Sequence, residues 1–413
     1  MPLENGFVRS YYLRDQGRFF NPKIHYLNDE KLPPVETGTE FYGTTAIADH
    51  AVQCLQDHAS NHPNQPFFHY LAFTAPHFPL HGLPEDIARY ETQYQRDWAE
   101  VRRERWERQK RVGLIQGGLS AVERNLGPPY AFPDAIKKLG PGEVNRPLAW
   151  GDLTPKQQDF QAMKMAIHAA MIDRLDRELG KVLNQIREMD AWDSTLILFL
   201  SDNGASAEIM VRDDGHDPNA PPGSAATYLC LGPGWSTTCN TPFRRHKTWV
   251  HEGGIATPLI AHWPNEIKAH GQIVHQPGHV IDLVPTLFEI TGVKGHGAGE
   301  EHDPPMRPGR SLMSAMVGSN QIQPRELWWN HDGNRAIRSG NWKLVAAGEG
   351  AAWELYDLAN DRSEQKDLAA LNTKQTQRLS GRWEALQLQF IDQASRDLRA
   401  TVKKSSEGGR NNE

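Results

Sequence analysis

Cysteine is scarce. Cys54, Cys230 and Cys239 are the three in 413 residues, too few and too scattered for a metal knuckle, and an odd number excludes complete intramolecular pairing. No run of about 18 apolar residues occurs, so no segment reads as a membrane-spanning helix. The opening Met1-Pro-Leu-Glu-Asn-Gly6 has neither the basic nor the apolar region of a signal peptide. Positive charge is not in excess either: 45 Lys and Arg against 51 Asp and Glu give a net charge of −6. Because the two signs are mixed along most of the chain, nothing suggests a nucleic-acid surface or a polyanion-binding face. What remains as a partner is a small molecule or a sugar chain. The 38% hydrophobic content, with 12 Trp, suits a globular protein with one large core or two domains.

The stretch around which the chain is organised is Ser194-Thr-Leu-Ile-Leu-Phe-Leu-Ser-Asp-Asn-Gly204. Its apolar and β-branched residues, closed by polar and turn-forming ones, predict a buried parallel strand running into a loop. Ligands gather outside the carboxyl ends of such strands, and a carboxylate beside a carboxamide there offers oxygen ligands to a hard cation. An Asx-turn that merely ends the strand is the structural alternative for Asp202 and Asn203.

Ahead of it, Thr44–Ala59 predicts a helix capped by Thr44, with Ile47, Ala51 and Leu55 on one face and His50 towards solvent. Pro66-Phe-Phe-His-Tyr-Leu-Ala-Phe-Thr74 predicts a second buried strand. It leads into Ala75-Pro-His-Phe-Pro79, where a His between two prolines sits on a stiff loop, either positioned for chemistry or simply solvated. The densest charge run, Arg96–Arg111, predicts a solvated amphipathic helix with Trp98, Val101 and Trp106 near one face. Gly113–Leu153 is Gly- and Pro-rich and reads as a surface excursion.

Thr154-Pro-Lys-Gln157 supplies an N-cap, a first-position Pro and a capping box. Apolar residues then recur every three or four positions from Phe160 to Ile186, predicting one long helix with a possible bend at Gly180. Beyond the central strand, Arg244, Arg245 and Lys247 place cations before the Gly-rich His251-Glu-Gly-Gly254, either as an oxyanion grip or as a solvated basic loop. His246 and His251 lack the spacing of a zinc motif, and Cys239 reads as inert. Gly295-His-Gly-Ala-Gly299 follows a predicted helix at 281–291 rather than a strand, so it carries little dinucleotide signal. From Pro324 on, short aromatic and β-branched runs such as Trp342-Lys-Leu-Val-Ala346 predict a small antiparallel sheet, closed by a helix over 373–398. His331 belongs either to the cleft or to this framework. Residues 401–413 read as a disordered tail.

Ala75-Pro-His-Phe-Pro79, Leu200-Ser-Asp-Asn-Gly204, Lys247 with His251-Glu-Gly-Gly-Ile-Ala-Thr-Pro258, and Glu354-Leu-Tyr-Asp-Leu-Ala-Asn-Asp361 together resemble the type I sulfatases, the arylsulfatase family of the alkaline phosphatase superfamily. The resemblance runs in order from about Met1 to about Leu379. It implies an α/β fold with a mostly parallel sheet flanked by helices, a catalytic domain over 1–323, and a smaller antiparallel-sheet domain over 324–400. It implies Asp202 and Asn203 as ligands of a Ca²⁺ ion. His77 and Lys247 are implied to contact the sulfate, with His77 protonating the leaving oxygen of an aryl sulfate or a sulfated carbohydrate.

The pattern departs from the family at its start. The opening strand with paired Asp ligands, the Cys-x-Pro-x-Arg signature whose Cys becomes the formylglycine nucleophile, and the Lys-x-His segment that follows that signature do not occur here. The expectation is an N-terminally incomplete sulfatase, inactive on its own, lacking the export signal common in the family. A phosphodiesterase or phosphonate hydrolase of the same superfamily, or a non-catalytic module that binds sulfated glycans, are the alternatives.

Overall fold

The computed structural model describes residues 1–15, 17–130, 132–212, 215–293, 309–318 and 325–408. The chain opens with strands β1 (Tyr11–Leu13), β2 (His25–Leu27) and β3 (Glu30–Lys31). Helices α1 (Gly43–Asn61), α2 (Pro84–Ile87), α3 (Trp98–Arg111), α4 (Pro133–Leu139) and α5 (Pro155–Glu188) follow. Strand β4 (Ile197–Leu200) leads to α6 (Gly232–Cys239), α7 (Glu252–Ile255), β5 (Leu259–His262), α8 (Leu283–Thr291) and α9 (Met313–Met316). Strands β6 (Glu326–His331), β7 (Asn334–Ser339), β8 (Trp342–Ala346) and β9 (Glu354–Asp357) are closed by α10 (Thr373–Gly408). The last helix therefore runs beyond the end expected for it, and residues 409–413 lie outside the described residues, as does Gly295–Gly299. Among the described residues no helix is long and apolar enough to cross a membrane.

Helix α5 forms as its sequence dictates. The Gln157 amide donates to Thr154 Oγ1 at 3.3 Å and the Thr154 amide to Gln157 Oε1 at 2.9 Å, so the capping box closes and satisfies two otherwise orphaned donors. The helix runs without a break through Gly180. Its apolar stripe serves two clusters: Ile167, Met171 and Leu175 meet Phe19, Tyr42 and Leu80. One end of the same stripe, Val182 and Ile186, meets Ala48, Ala51 and Leu55 of α1. Thr44 does not cap α1; the N-cap is Tyr42, and Thr44 is buried within the first turn. His50 is half-buried rather than free in solvent, with its ring 5.7 Å from that of Tyr11.

The central strand departs from expectation. β4 pairs antiparallel with β5, Ile197 opposite His262 and Leu200 opposite Leu259, and it is not buried: Phe199 and Ile260, facing each other across the ladder, are 42% and 59% exposed. Every ladder among the described strands is antiparallel. An apolar run fixes strand character, whereas direction and burial are set by neighbours distant in sequence. The stretch 66–74 forms no ladder among the described residues. It nonetheless keeps a strand's period of two: Phe67, Leu71 and Phe73 pack on α1 and α5, while Phe68 and Tyr70 face outward.

The C-terminal sheet has the order β6-β7-β8-β9, all antiparallel. Alternation gives it two buried faces. Ile337, Leu344 and Leu355 meet Leu379, Trp383 and Leu386 of α10. Their chain neighbours Ala336, Val345 and Tyr356 turn the other way and meet Val250. The sheet is thus packed against the segment that carries Lys247.

Candidate active site

Two glycine motifs interlock to build the site. The Gly204 amide donates to the Gly254 carbonyl at 3.0 Å, and the Lys247 amide to the Ala205 carbonyl at 3.1 Å. A Cβ on Gly204 would stand 1.9 Å from the Gly253 carbonyl oxygen, and one on Gly253 would stand 2.2 Å from that of Arg244. Only glycine permits such approach, which is the physical reason for Asp-Asn-Gly and Glu-Gly-Gly in these two stretches. Asn240 clasps the junction: its Oδ1 accepts from the Ala205 amide at 2.7 Å, and its Nδ2 donates to the Ala205 and Arg245 carbonyls, each at 3.1 Å.

The arrangement brings His77 and Lys247 together across 170 residues of sequence. His77 Nδ1 donates to the Phe78 carbonyl at 2.7 Å, which leaves Nε2 as the lone-pair nitrogen; Lys247 Nζ lies 3.2 Å from it. Burial, opposed by the Phe78 carbonyl and reinforced by Lys247, pushes the His77 pKa down, while Glu208 and Asp202 pull the other way and lose. Asp202 and Glu208 therefore both lie within electrostatic reach of the imidazole. Glu208 is a buried carboxylate, its Oε2 accepting from Ser206 Oγ at 2.6 Å. No motif or periodicity singles out Glu208 or Asn240 in the sequence.

Arg244 and Arg245 are not part of an oxyanion grip. Arg244 is held by Glu123 at 2.7 Å, Glu354 at 3.2 Å and the Tyr356 hydroxyl at 2.9 Å, and Arg245 by Glu123 at 3.2 Å. Carboxylates from the 113–153 excursion and from β9 consume these cations, so they brace the loop and leave Lys247 to face the site. The loop's other end is bolted as well: Lys343 Nζ, fully buried, lies 2.9 Å from Glu252 Oε1 and 2.8 Å from Glu364 Oε1. Glu252 itself, pushed up by burial, is brought down to about 2 by Lys343 and Arg362. Between the two bolts, Arg245 and Thr248 adopt φ of 67° and 87°. Left-handed backbone at non-glycine residues costs on the order of 1–3 kcal/mol each and persists only where surrounding structure enforces it.

His251 is buried beside Glu354 at 3.4 Å, and His331 is exposed beside Asp332 at 3.8 Å. Neither approaches the His77–Lys247 pair through any hydrogen bond. Cys230 is buried and Cys239 partly buried; burial pushes both thiols up, that of Cys230 to about 12, far from a reactive thiolate.

Asp202 and Asn203 sit on the turn after β4, with Asn203 Nδ2 donating to Asp202 Oδ1 at 3.0 Å. Calcium takes six to eight oxygen ligands. Among the described residues no three His, Cys, Asp or Glu side chains converge on a point that would hold a metal. The carboxylate and amide present do not by themselves make a calcium site.

The sulfatase family model matches residues 6–293, and that of the C-terminal region of N-sulphoglucosamine sulphohydrolase matches residues 244–389. An uncharacterized sulfatase of Schizosaccharomyces pombe is 27% identical over 406 residues, covering 90% of this chain and 68% of that protein. The arylsulfatase of Klebsiella aerogenes is 31% identical over 314 residues, 71% of this chain and 62% of that enzyme, so the chain spans less than two thirds of it. Among solved structures, Ps i-CgsB is 21% identical with a TM-score of 0.57, over 94% of this chain and 67% of the other. BT4656, solved with its substrate D-glucosamine-2-N,6-O-disulfate, is 16% identical with a TM-score of 0.58, over 94% and 77%. At such identities these structures speak for the fold, which is alkaline phosphatase-like α/β with a C-terminal antiparallel sheet. Since the family model spans residues 6–293, a stretch containing His77, Asp202, Asn203 and Lys247 together, the chain belongs to the sulfatase family.

Proposed function

We propose that the chain carries the sulfate-gripping and proton-donating part of a sulfuric ester hydrolase acting on sulfated carbohydrates or small aryl sulfates with S–O cleavage. The observation that carries this reading is the approach of Lys247 Nζ to within 3.2 Å of His77 Nε2. The carbohydrate class is supported by two proteins of similar fold, one solved with a glucosamine disulfate substrate and one in complex with a neocarrahexaose.

The chemistry follows from the pair. Without substrate, the Lys247 ammonium donates to a neutral His77, which has no proton to offer at Nε2. A sulfate ester spreads its negative charge over its oxygens, and an oxyanion seated beside both groups takes over the Lys247 hydrogen bond. Its charge also opposes the depression of the His77 pKa, so that Nε2 takes up a proton as the substrate arrives. When the S–O bond breaks, its electron pair goes to the alcohol oxygen and that oxygen receives the Nε2 proton, while the sulfuryl group passes to a nucleophile. Within the family that nucleophile is formylglycine, and none of the three cysteines here stands in a Cys-x-Pro-x-Arg sequence. We therefore hold that these residues bind sulfate without turning over its esters. Asp202 and Asn203 are proposed as two oxygen ligands of a cation that needs further ligands.

Calorimetric titration of the 413-residue chain with inorganic sulfate, beside an assay on a chromogenic aryl sulfate, tests the reading. Binding should weaken about tenfold or more in Lys247→Ala, as loss of a charge-assisted hydrogen bond implies, and no turnover should be seen. Equal affinity in the two proteins would remove Lys247 from the site.

A further inference from the structure

Beside the His77–Lys247 pair, two segments far apart in sequence close on each other. The Tyr130 hydroxyl donates to Asp332 Oδ2 at 2.6 Å, joining the 113–153 excursion to the turn between β6 and β7. Asn334 Nδ2 donates to the Thr248 carbonyl at 3.1 Å, so the contact is tied to the residue directly after Lys247. On the inner side, the buried Glu208 carboxylate acts on both His77 and Tyr130.

This chemistry is wrong for the sulfate itself. Carboxylates repel an oxyanion, so Asp332 would weaken sulfate binding if the sulfate were all it met. They are right for hydroxyl groups, which donate to carboxylates, and the partly exposed Tyr130 ring offers an apolar face to the C–H side of a sugar ring. Asp332, at φ 48°, stands on a turn that holds its carboxylate at the rim.

We infer that Tyr130 and Asp332 receive the hydroxyl-bearing leaving group, so that the site selects a sulfated sugar over a flat aryl sulfate. The inference rests on the oxyanion reading of His77 and Lys247. Hydrogen bonds from sugar hydroxyls to the Asp332 carboxylate orient the ester oxygen towards His77 Nε2, while Lys247 holds the sulfate.

The test titrates the full chain with inorganic sulfate, with a monosaccharide 6-sulfate and with 4-nitrophenyl sulfate, for the natural protein, Asp332→Asn and Tyr130→Phe. Asn tolerates positive φ, so Asp332→Asn removes charge without forcing the turn to move. Matched thermal melts establish that both variants are folded. The natural chain should bind the sugar sulfate more tightly than either other ligand. In Asp332→Asn the ratio of sugar-sulfate to inorganic-sulfate affinity should fall about tenfold, and in Tyr130→Phe by a smaller factor. A ratio identical in all three proteins, or a sugar sulfate bound no more tightly than sulfate, overturns the leaving-group assignment alone. Sulfate binding that is absent, or indifferent to Lys247→Ala, overturns the oxyanion reading and this inference with it.

Discussion

His77 and Asp202 show how much a single side chain's chemistry depends on what is brought beside it. The imidazole is tuned by burial and by Lys247 against two carboxylates, a balance that no property of the Pro-His-Phe-Pro stretch alone reveals. Asp202, by contrast, has the right functional group and too little company: its near partner is the Asn203 amide. A hard cation held by so few protein oxygens binds weakly. Calorimetry on this chain should accordingly give a calcium dissociation constant weaker than about 10⁻⁵ M, the loose end of sensor sites, with the residual heat lost in Asp202→Ala. Tight binding that survives Asp202→Ala would place the ion elsewhere.

The decisive element is the loop that carries Lys247, because its position is fixed from outside. Arg244 and Glu252 tie its ends to partners on β9, β8 and Glu364, so the C-terminal sheet is part of the site's construction. Lys343→Ala would leave Glu252 and Glu364 buried without their shared cation. Urea unfolding should show a loss of about 3–5 kcal/mol, typical of removing one partner of a buried ion pair; a change below about 1 kcal/mol would mean that the cluster relaxes freely. Legibility in the sequence follows the same division between local and distant causes. Helix α5 was readable because its cap, its first-position Pro and its apolar spacing are all local. The strands β6 to β9 were readable as short alternating runs between turns. Lys343 was not, because a Lys on a buried strand face makes sense only with Glu252, 91 residues away, in place. The direction and exposure of β4 were hidden for the same reason, being set by β5. His77 and Lys247 stood out through ordered motifs, whereas Glu208 and Asn240 are single polar residues in stretches with no period.

For the molecule as a whole, these ion clusters set the response to acid. Burial raises the Glu252 and Glu354 carboxyls, but Lys343 for the first, and hydrogen bonds from His251 and Tyr356 with Arg244 for the second, bring both to about 2 from 4.5. Groups whose folded pKa is depressed contribute stability that is complete above the unfolded value and is lost as pH falls towards the folded one. Urea midpoints should therefore be steady above about pH 7, decline below it because burial holds His81, His168 and His246 down to about 4 and their unfolded forms take up protons first, and fall steeply between pH 4.5 and 2. Glu252 alone should account for on the order of 3 kcal/mol, and stability that is flat across this range would show the clusters to be solvated. Whether His77 and Lys247 form one oxyanion site is decided by following the His77 imidazole resonances through a pH titration, with and without saturating sulfate. The apparent pKa should lie below 6.5 in the free chain, be higher in Lys247→Ala, and rise when sulfate binds the natural protein. A His77 titration unmoved by both sulfate and Lys247→Ala would contradict a shared site.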